Sequence, residues 1–186
     1  MTNRILLAVL LTAAAISTGC DDKSTATNGT SPQAGQESGS AASAQPLPAN
    51  LQLTAAPADA KDVAGVKASV KDGDRVVLQG VVAGRVDPIA ENRAILTLLD
   101  LAIPTCDKNP ADGCKTPWDA CCEPADVRAK NSVTVQVVDA AGKPIKASLT
   151  AVEGVKPLAK VVVSGTAEVS PDGVVLVNAD GLYVVR

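Results

Sequence analysis

The chain has 186 residues and a net charge of −3, with no histidine, no phenylalanine, one tryptophan and one tyrosine. The acidic balance argues against a phosphate-backbone partner, which requires clustered Lys and Arg. The absence of histidine removes the commonest general base and metal ligand, and the scarcity of aromatic residues removes the stacking platform for single-stranded nucleic acid.

The first residues are typical of an export signal. A positive charge at Arg4 precedes an apolar run from Ile5 to Ile16. The run is too short to span a bilayer and predicts a cleaved lipoprotein signal peptide over residues 1–19. The small residues directly before Cys20 resemble a bacterial lipobox. That resemblance implies that Cys20 receives a diacylglyceryl thioether and becomes the mature N-terminus; a plain secretory peptide with a chance cysteine is the competing interpretation.

A lipid anchor at Cys20 predicts stable attachment to a membrane. We expect an exported protein on the periplasmic side of the cell membrane, with the outer membrane and the cell surface left open. Residues 20–62 are predicted to be the lipidated cysteine followed by a disordered tether. This segment is rich in Ser, Ala, Gly and Pro and buries too little apolar surface to offset the entropy of ordering.

Residues 63–186 are predicted to form one all-β domain. Its apolar, largely β-branched segments favour five strands: Arg75–Val82, Arg93–Asp100, Ser132–Asp139, Lys160–Ala167, and Val174–Val177 resuming at Leu182–Val185. A short helix of two turns is expected within Ala147–Val155, between the third and fourth strands.

Two of these strands carry a glycine in mid-strand, at Gly80 and Gly165. A glycine there often marks a bend or a bulge that lets a small sheet curl and close. The strand order and the bends together resemble the five-stranded OB-fold barrel. A fragment of a β-sandwich is the alternative.

The connection between the second and third strands carries the remaining cysteines: Cys106, Cys114, Cys121 and Cys122. An even number of cysteines in an exported protein predicts disulfides, and a long connection needs such a staple. A bond between the adjacent cysteines would be strained. Two pairings stay open: Cys106–Cys121 with Cys114–Cys122, or Cys106–Cys122 with Cys114–Cys121.

The same cysteines offer two functional alternatives, a four-thiolate metal site and a redox-active pair. Their spacing, C-x7-C-x6-C-C, lacks the C-x2-4-C rhythm of common zinc sites. It also lacks a C-x-x-C pair, which lowers a thiol pKa. The disulfide staple is therefore the preferred interpretation, and no metal or other cofactor is predicted.

Trp118 and Asp119 lie between the cysteines. In the first interpretation Trp118 packs over the disulfide knot and Asp119 caps a turn. In the second, an exposed Trp118 with Asp119 beside it anchors a partner.

Three stretches resemble a family of uncharacterised planctomycete-type exported lipoproteins. The family pattern reads G-D-x-V-V-x-x-G-x-V, then C-x-T-P-W-D-x-C-C, then V-x-V-V-D-x-x-G-K-P. Here it occupies Gly73–Val82, Cys114–Cys122 and Val135–Pro144. The resemblance implies an exported OB-fold-like domain and supplies no activity.

These observations predict a membrane-anchored envelope lipoprotein that is not an enzyme, because no nucleophile, base and orienting group share a recognisable spacing. The first function hypothesis is a monomeric, non-catalytic module that has a structural role or binds a protein or glycan partner. The second is metal or thiol handling by the four cysteines. Nucleic-acid binding follows only from fold analogy and is disfavoured by charge and composition.

Overall fold

The computed structural model describes residues 45–109, 111 and 113–186. Cys20, the predicted signal peptide and the greater part of the predicted tether lie outside these residues. The elements are β1 (Lys61–Asp62), α1 (Val63–Ser69), β2 (Arg75–Val82), β3 (Ile95–Leu99), α2 (Ala125–Lys130), β4 (Ser132–Gln136), β5 (Lys160–Val169) and β6 (Val175–Val184), with 3₁₀ turns at Cys106–Lys108 and Leu149–Ala151.

The strands form one sheet in the order β1-β2-β3-β4-β6-β5, and a further pairing of β2 with β5 closes it. Neighbours in the closed part are antiparallel except β4 and β6, which run parallel. The predicted small all-β barrel is therefore confirmed, with OB-like strand order and one extra short strand at β1.

The barrel core follows from the alternation of buried and half-exposed residues along β2 and β4. β3 departs from this pattern, because Leu96 to Leu99 are all buried. Leu96 and Leu98 belong to the main core, whereas Leu99 packs in a second, smaller cluster with Ala83 and Ala120. Leu99, on the outer face of β3, is thus covered, and part of that cover is Ala120 of the segment from Cys106 to Cys122, called the cysteine segment below.

The two mid-strand glycines lie at close backbone approaches. A Cβ on Gly165 would stand 2.4 Å from the carbonyl oxygen of Asn178, and one on Gly80 would stand 2.6 Å from that of Leu99. The pairing of β5 with β6 shifts register between Ser164 and Gly165. The irregularity predicted at Gly165 is confirmed. β6 runs as one strand where the sequence predicts two pieces.

Two predicted features take a different form. The expected two-turn helix within Ala147–Val155 is a single 3₁₀ turn, and the Ser148 hydroxyl accepts a hydrogen bond from the Thr150 N–H at its start. The folded part also begins earlier than residue 63. Leu51 is only 1 % exposed, and its backbone carbonyl accepts a hydrogen bond from the N–H of Leu182 in β6.

Candidate metal centre

The cysteine segment packs on the barrel through the small side chain of Ala120. Ala120 is 1 % exposed and packs with Leu99 of β3 and with Ala83, which directly follows β2. Val81 and Ile103 lie against the same cluster. This contact holds the Cys121–Cys122 pair at the edge of the barrel.

Backbone hydrogen bonds tie the two arms of the segment together. The N–H of Cys106 donates to the carbonyl of Asp119 at 2.7 Å, and the N–H of Asp107 donates to the carbonyl of Pro117 at 2.8 Å. These bonds connect the start of the segment to the residues just before Cys121. Cys106 and Cys121 are adjacent in space for that reason, although they are distant in sequence.

Trp118 fastens the segment to the connection that follows β2. Its carbonyl accepts from the N–H of Gly84 at 2.9 Å, and its indole Nε1–H donates to the carbonyl of Val86 at 2.8 Å. The side chain is half-buried. These contacts attach Trp118 to the connection after β2, and its packing over a disulfide knot stays a prediction. The contact surface that Ala83, Gly84 and Val86 form for the cysteine segment was not predicted. The small residues Ala83 and Gly84, directly after a strand, were the one sequence signal that could have indicated it.

Asp119, in the same segment, is buried. It is 6 % exposed, its carboxylate accepts from the Ala120 N–H at 2.7 Å, and its own N–H donates to the carbonyl of Thr116 at 2.9 Å. A carboxylate this buried presents little surface to a partner. Turn capping and partner recognition by Asp119 both stay predictions.

The four sulfur atoms converge. The Sγ of Cys121 lies 3.4 Å from that of Cys106, 3.4 Å from that of Cys114 and 4.0 Å from that of Cys122. All four Sγ atoms lie within 4.8 Å of one another. Cys106 is buried, Cys114 is half-buried, and the adjacent pair is exposed. One side of the cluster therefore faces the barrel and the other faces solvent.

The four cysteines are not joined by disulfides in the structure. A disulfide requires a sulfur–sulfur distance of about 2.05 Å, well below the separations observed here. The predicted staple is therefore not shown and stays a prediction. Each of the two open pairings contains one of the two 3.4 Å contacts, so the geometry does not choose between them.

The same separations suit a single metal ion. Tetrahedral coordination with metal–sulfur bonds of about 2.3 Å places the sulfurs about 3.8 Å apart. The observed distances, from 3.4 Å up to the 4.8 Å limit, bracket that value. A polynuclear iron–sulfur cluster needs room for several ions between its ligands, and this group leaves room for one.

Contacts among the sulfur atoms shift the pKa values of two thiols, Cys106 and Cys114. Burial acts to raise the pKa of the Cys106 thiol, but hydrogen bonds from the neighbouring thiols, chiefly Cys121, outweigh burial and lower it. Hydrogen bonds to Cys121 and Cys106 raise the pKa of Cys114 to about 11. These shifts favour the thiolate at Cys106 and the thiol at Cys114, whose proton a bound cation would displace.

A small cavity of about 130 Å³ adjoins the sulfurs, lined by Cys106, Cys122, Lys108, Ala120 and Glu123 among others. The nearby Lys108 ammonium pairs with the Asp107 carboxylate at 2.9 Å. Asp107 also accepts a hydrogen bond from the Thr105 hydroxyl. The rim of the cluster is therefore polar and accessible to small solutes.

No protein-family model, curated protein or solved structure matches this chain. The resemblance to planctomycete-type exported lipoproteins stays a prediction, and the chemistry of the site rests on its own geometry.

Proposed function

We propose that this chain is a membrane-anchored envelope lipoprotein whose barrel is a non-catalytic module, and that the module binds one thiophilic metal ion. The observation that carries the proposal is the convergence of four Sγ atoms within 4.8 Å. The ligands are Cys106, Cys114, Cys121 and Cys122. This reverses the preference drawn from their spacing, because tertiary contacts supply the proximity that a C-x-x-C pair supplies in common zinc sites.

The donor set indicates the class of ion. Four thiolates select soft or borderline ions such as Zn²⁺ or Cu⁺ over Mg²⁺ or Ca²⁺. Four protein ligands also leave no coordination position for a substrate or an activated water, which is the pattern of a non-catalytic site. The exposure of Cys121 and Cys122 supports a site that can exchange its ion with solution.

The membrane anchor is proposed from the sequence alone. Cys20 follows an apolar run and small residues, and a diacyl chain there would attach the barrel through the tether. Within the described residues, no helix combines the length and apolar character needed to cross a bilayer. Incorporation of labelled palmitate tests the anchor, and a Cys20→Ser variant should lose the label and leave the membrane fraction.

A groove favours a second candidate function, recognition of a polar ligand such as a glycan. It has a volume of about 380 Å³ and lies along β3 and β4 beside the turn before β6. Thr97, Thr134, Lys67, Arg85 and Asp172 contribute hydroxyl, cationic and carboxylate groups to its lining. OB-fold barrels bind ligands on this face. Glycan-dependent NMR shifts at Thr97 and Thr134 that disappear in Arg85→Ser would support this function.

The metal proposal is tested on the exported protein, purified from membranes in detergent under anaerobic, reducing conditions. We expect about one Zn²⁺ per chain to survive dialysis, as measured by mass spectrometry, because four thiolates saturate a zinc ion. Cys106→Ser should retain much less zinc. Lys115→Ser, a change in the same segment, should retain the full amount. A fully reduced protein that binds no thiophilic ion would refute the proposal and return the cluster to the disulfide interpretation.

A further inference from the structure

We propose that the four-cysteine centre is a redox-controlled metal site, which holds its ion when reduced and releases it when a small disulfide oxidises the sulfurs to two disulfide bonds. The inference rests on the proposed metal-binding function and adds the regulation of the same site. In this proposal the metal site is the reduced state of the four cysteines, and the disulfide staple is their oxidised state.

The first argument is distance. Cys121 Sγ is 3.4 Å from both Cys106 Sγ and Cys114 Sγ. Closing either contact to a bond of about 2.05 Å requires a sulfur displacement of roughly 1.4 Å, which side-chain rotation can supply. Whichever partner Cys121 takes, Cys122 is left to pair with the other. Both pairings consume all four ligands, so the ion cannot stay bound.

The second argument is access. Cys121 and Cys122 are exposed, and the small cavity beside them is lined by Cys122 and by the buried Cys106. A low-molecular-weight disulfide can therefore reach an exposed sulfur in the folded protein. Thiol–disulfide exchange requires such an approach to the attacking thiolate.

The reaction balances. A cysteine thiolate attacks RS–SR to form a mixed disulfide and releases RS⁻; a second cysteine thiolate then displaces the other RS⁻ and forms the protein disulfide. Two rounds oxidise four cysteine thiolates, reduce two RS–SR to four RS⁻, and transfer four electrons. Four protons convert the products to RSH. The metal ion leaves with its charge unchanged.

The third argument is that the contacts that hold the cysteine segment on the barrel do not involve its sulfur atoms. The hydrogen bonds from Cys106 N–H to Asp119, from Asp107 N–H to Pro117 and from the Trp118 indole to Val86 use backbone and indole atoms only. The packing of Ala120 on Leu99 is likewise independent of sulfur. The barrel should therefore stay folded in both states, which distinguishes a local switch from oxidative unfolding.

The test uses the full-length protein in detergent, reduced and loaded with Zn²⁺, then titrated with oxidised glutathione. A chromophoric indicator measures released zinc, thiol titration and peptide mapping measure disulfides, and circular dichroism measures the fold. We expect release of the bound zinc as two disulfides form, an unchanged β spectrum, and full recovery after reductant and zinc are added back.

Two variants sharpen the test. Cys121→Ser removes the sulfur common to both 3.4 Å contacts and should slow formation of the first disulfide by about tenfold or more, since exchange depends on proximity. Cys122→Ser keeps both contacts and should form that first disulfide at close to the wild-type rate. Equal rates in the two variants would contradict the assigned role of Cys121.

The outcomes separate the two proposals. Failure of the reduced protein to load zinc or any other thiophilic ion would overturn the metal-binding function and this inference with it. Zinc that loads but stays bound under excess oxidised glutathione, while a chelator removes it, would overturn the inference alone. So would disulfides that form only together with loss of the β spectrum.

Discussion

The backbone N–H of Cys106 donates to the carbonyl oxygen of Asp119 at 2.7 Å, which closes the cysteine segment on itself. The next residue repeats the link, from the N–H of Asp107 to the carbonyl of Pro117 at 2.8 Å. This short backbone ladder brings the buried Cys106 to the side of the exposed Cys121. The sulfur cluster is thus preorganised by hydrogen bonds that no sulfur atom makes.

Removing the Asp119 carboxylate should loosen this arrangement. Asp119→Ala leaves the buried Ala120 N–H without its acceptor, and loss of a hydrogen bond to a charged group costs about 1.5–3 kcal/mol. Urea denaturation should show that decrease in the free energy of unfolding, and zinc competition should show weaker binding. Asp126→Ala is the control, because Asp126 is exposed and makes only a 3.8 Å pair with Lys130. Similar losses in the two variants would contradict the structural role of Asp119.

The Trp118 indole contributes one hydrogen bond that phenylalanine cannot replace. Trp118→Phe keeps the aromatic packing but loses the 2.8 Å bond from Nε1–H to the carbonyl of Val86. We expect a decrease of about 1 kcal/mol in the free energy of unfolding. Thermal and urea denaturation measure it. An unchanged stability would mean that water replaces the indole at Val86.

Gly165 should not tolerate a side chain. A Cβ there would lie 2.4 Å from the carbonyl oxygen of Asn178, a backbone atom that cannot move aside alone. Gly165→Ala should therefore destabilise the barrel by about 1–3 kcal/mol, the range for overpacking. The same change at Gly65 in α1 meets nothing within 4 Å and should be neutral or stabilising. Chemical denaturation of both variants compares them directly, and a Gly165→Ala protein as stable as Gly65→Ala would refute the close approach.

Leu51 should behave as a core residue although it precedes the predicted domain. Leu51→Ala removes a fully buried side chain and should cost about 2–5 kcal/mol. Leu101→Ala is the matched control, because Leu101 is 42 % exposed, and its loss should be much smaller. Urea denaturation gives both values. A Leu51 effect as small as that of Leu101 would place residues 45–62 outside the folded unit.

The Arg75–Asp180 pair should make a small, pH-dependent contribution to stability. The hydrogen bond from Arg75 holds the pKa of Asp180 below its ordinary range. A depressed folded-state pKa stabilises the fold above the ordinary aspartate pKa, and the contribution is lost as the pH falls through the lowered value. Both side chains are more than half exposed, so Asp180→Asn should change stability near neutral pH by under about 1 kcal/mol. Denaturation at neutral and acidic pH measures the difference, and a constant difference would contradict the linkage.

Much of the barrel was readable from local pattern. The apolar segments predicted five strands close to their observed positions, and Gly165 marked the register shift. Side chains alternate between the two faces of a strand, so the burial pattern of a strand can be predicted from the order of apolar and polar residues along it. Helix α1 was not predicted, since its residues have weak helix propensity and its first turn depends on a distant carboxylate: Asp100 accepts the N–H of Ala64 at 2.9 Å.

The sequence by itself determined the apolar segments that form the five barrel strands and the presence of four cysteines in one connection. Only the tertiary structure decided that their sulfurs meet. That meeting depends on Ala120 packing against Leu99 and on backbone bonds between the two arms of the segment. Such contacts join residues that are far apart along the chain and produce no periodic pattern in the sequence. The burial pattern of a strand, in contrast, repeats every second residue.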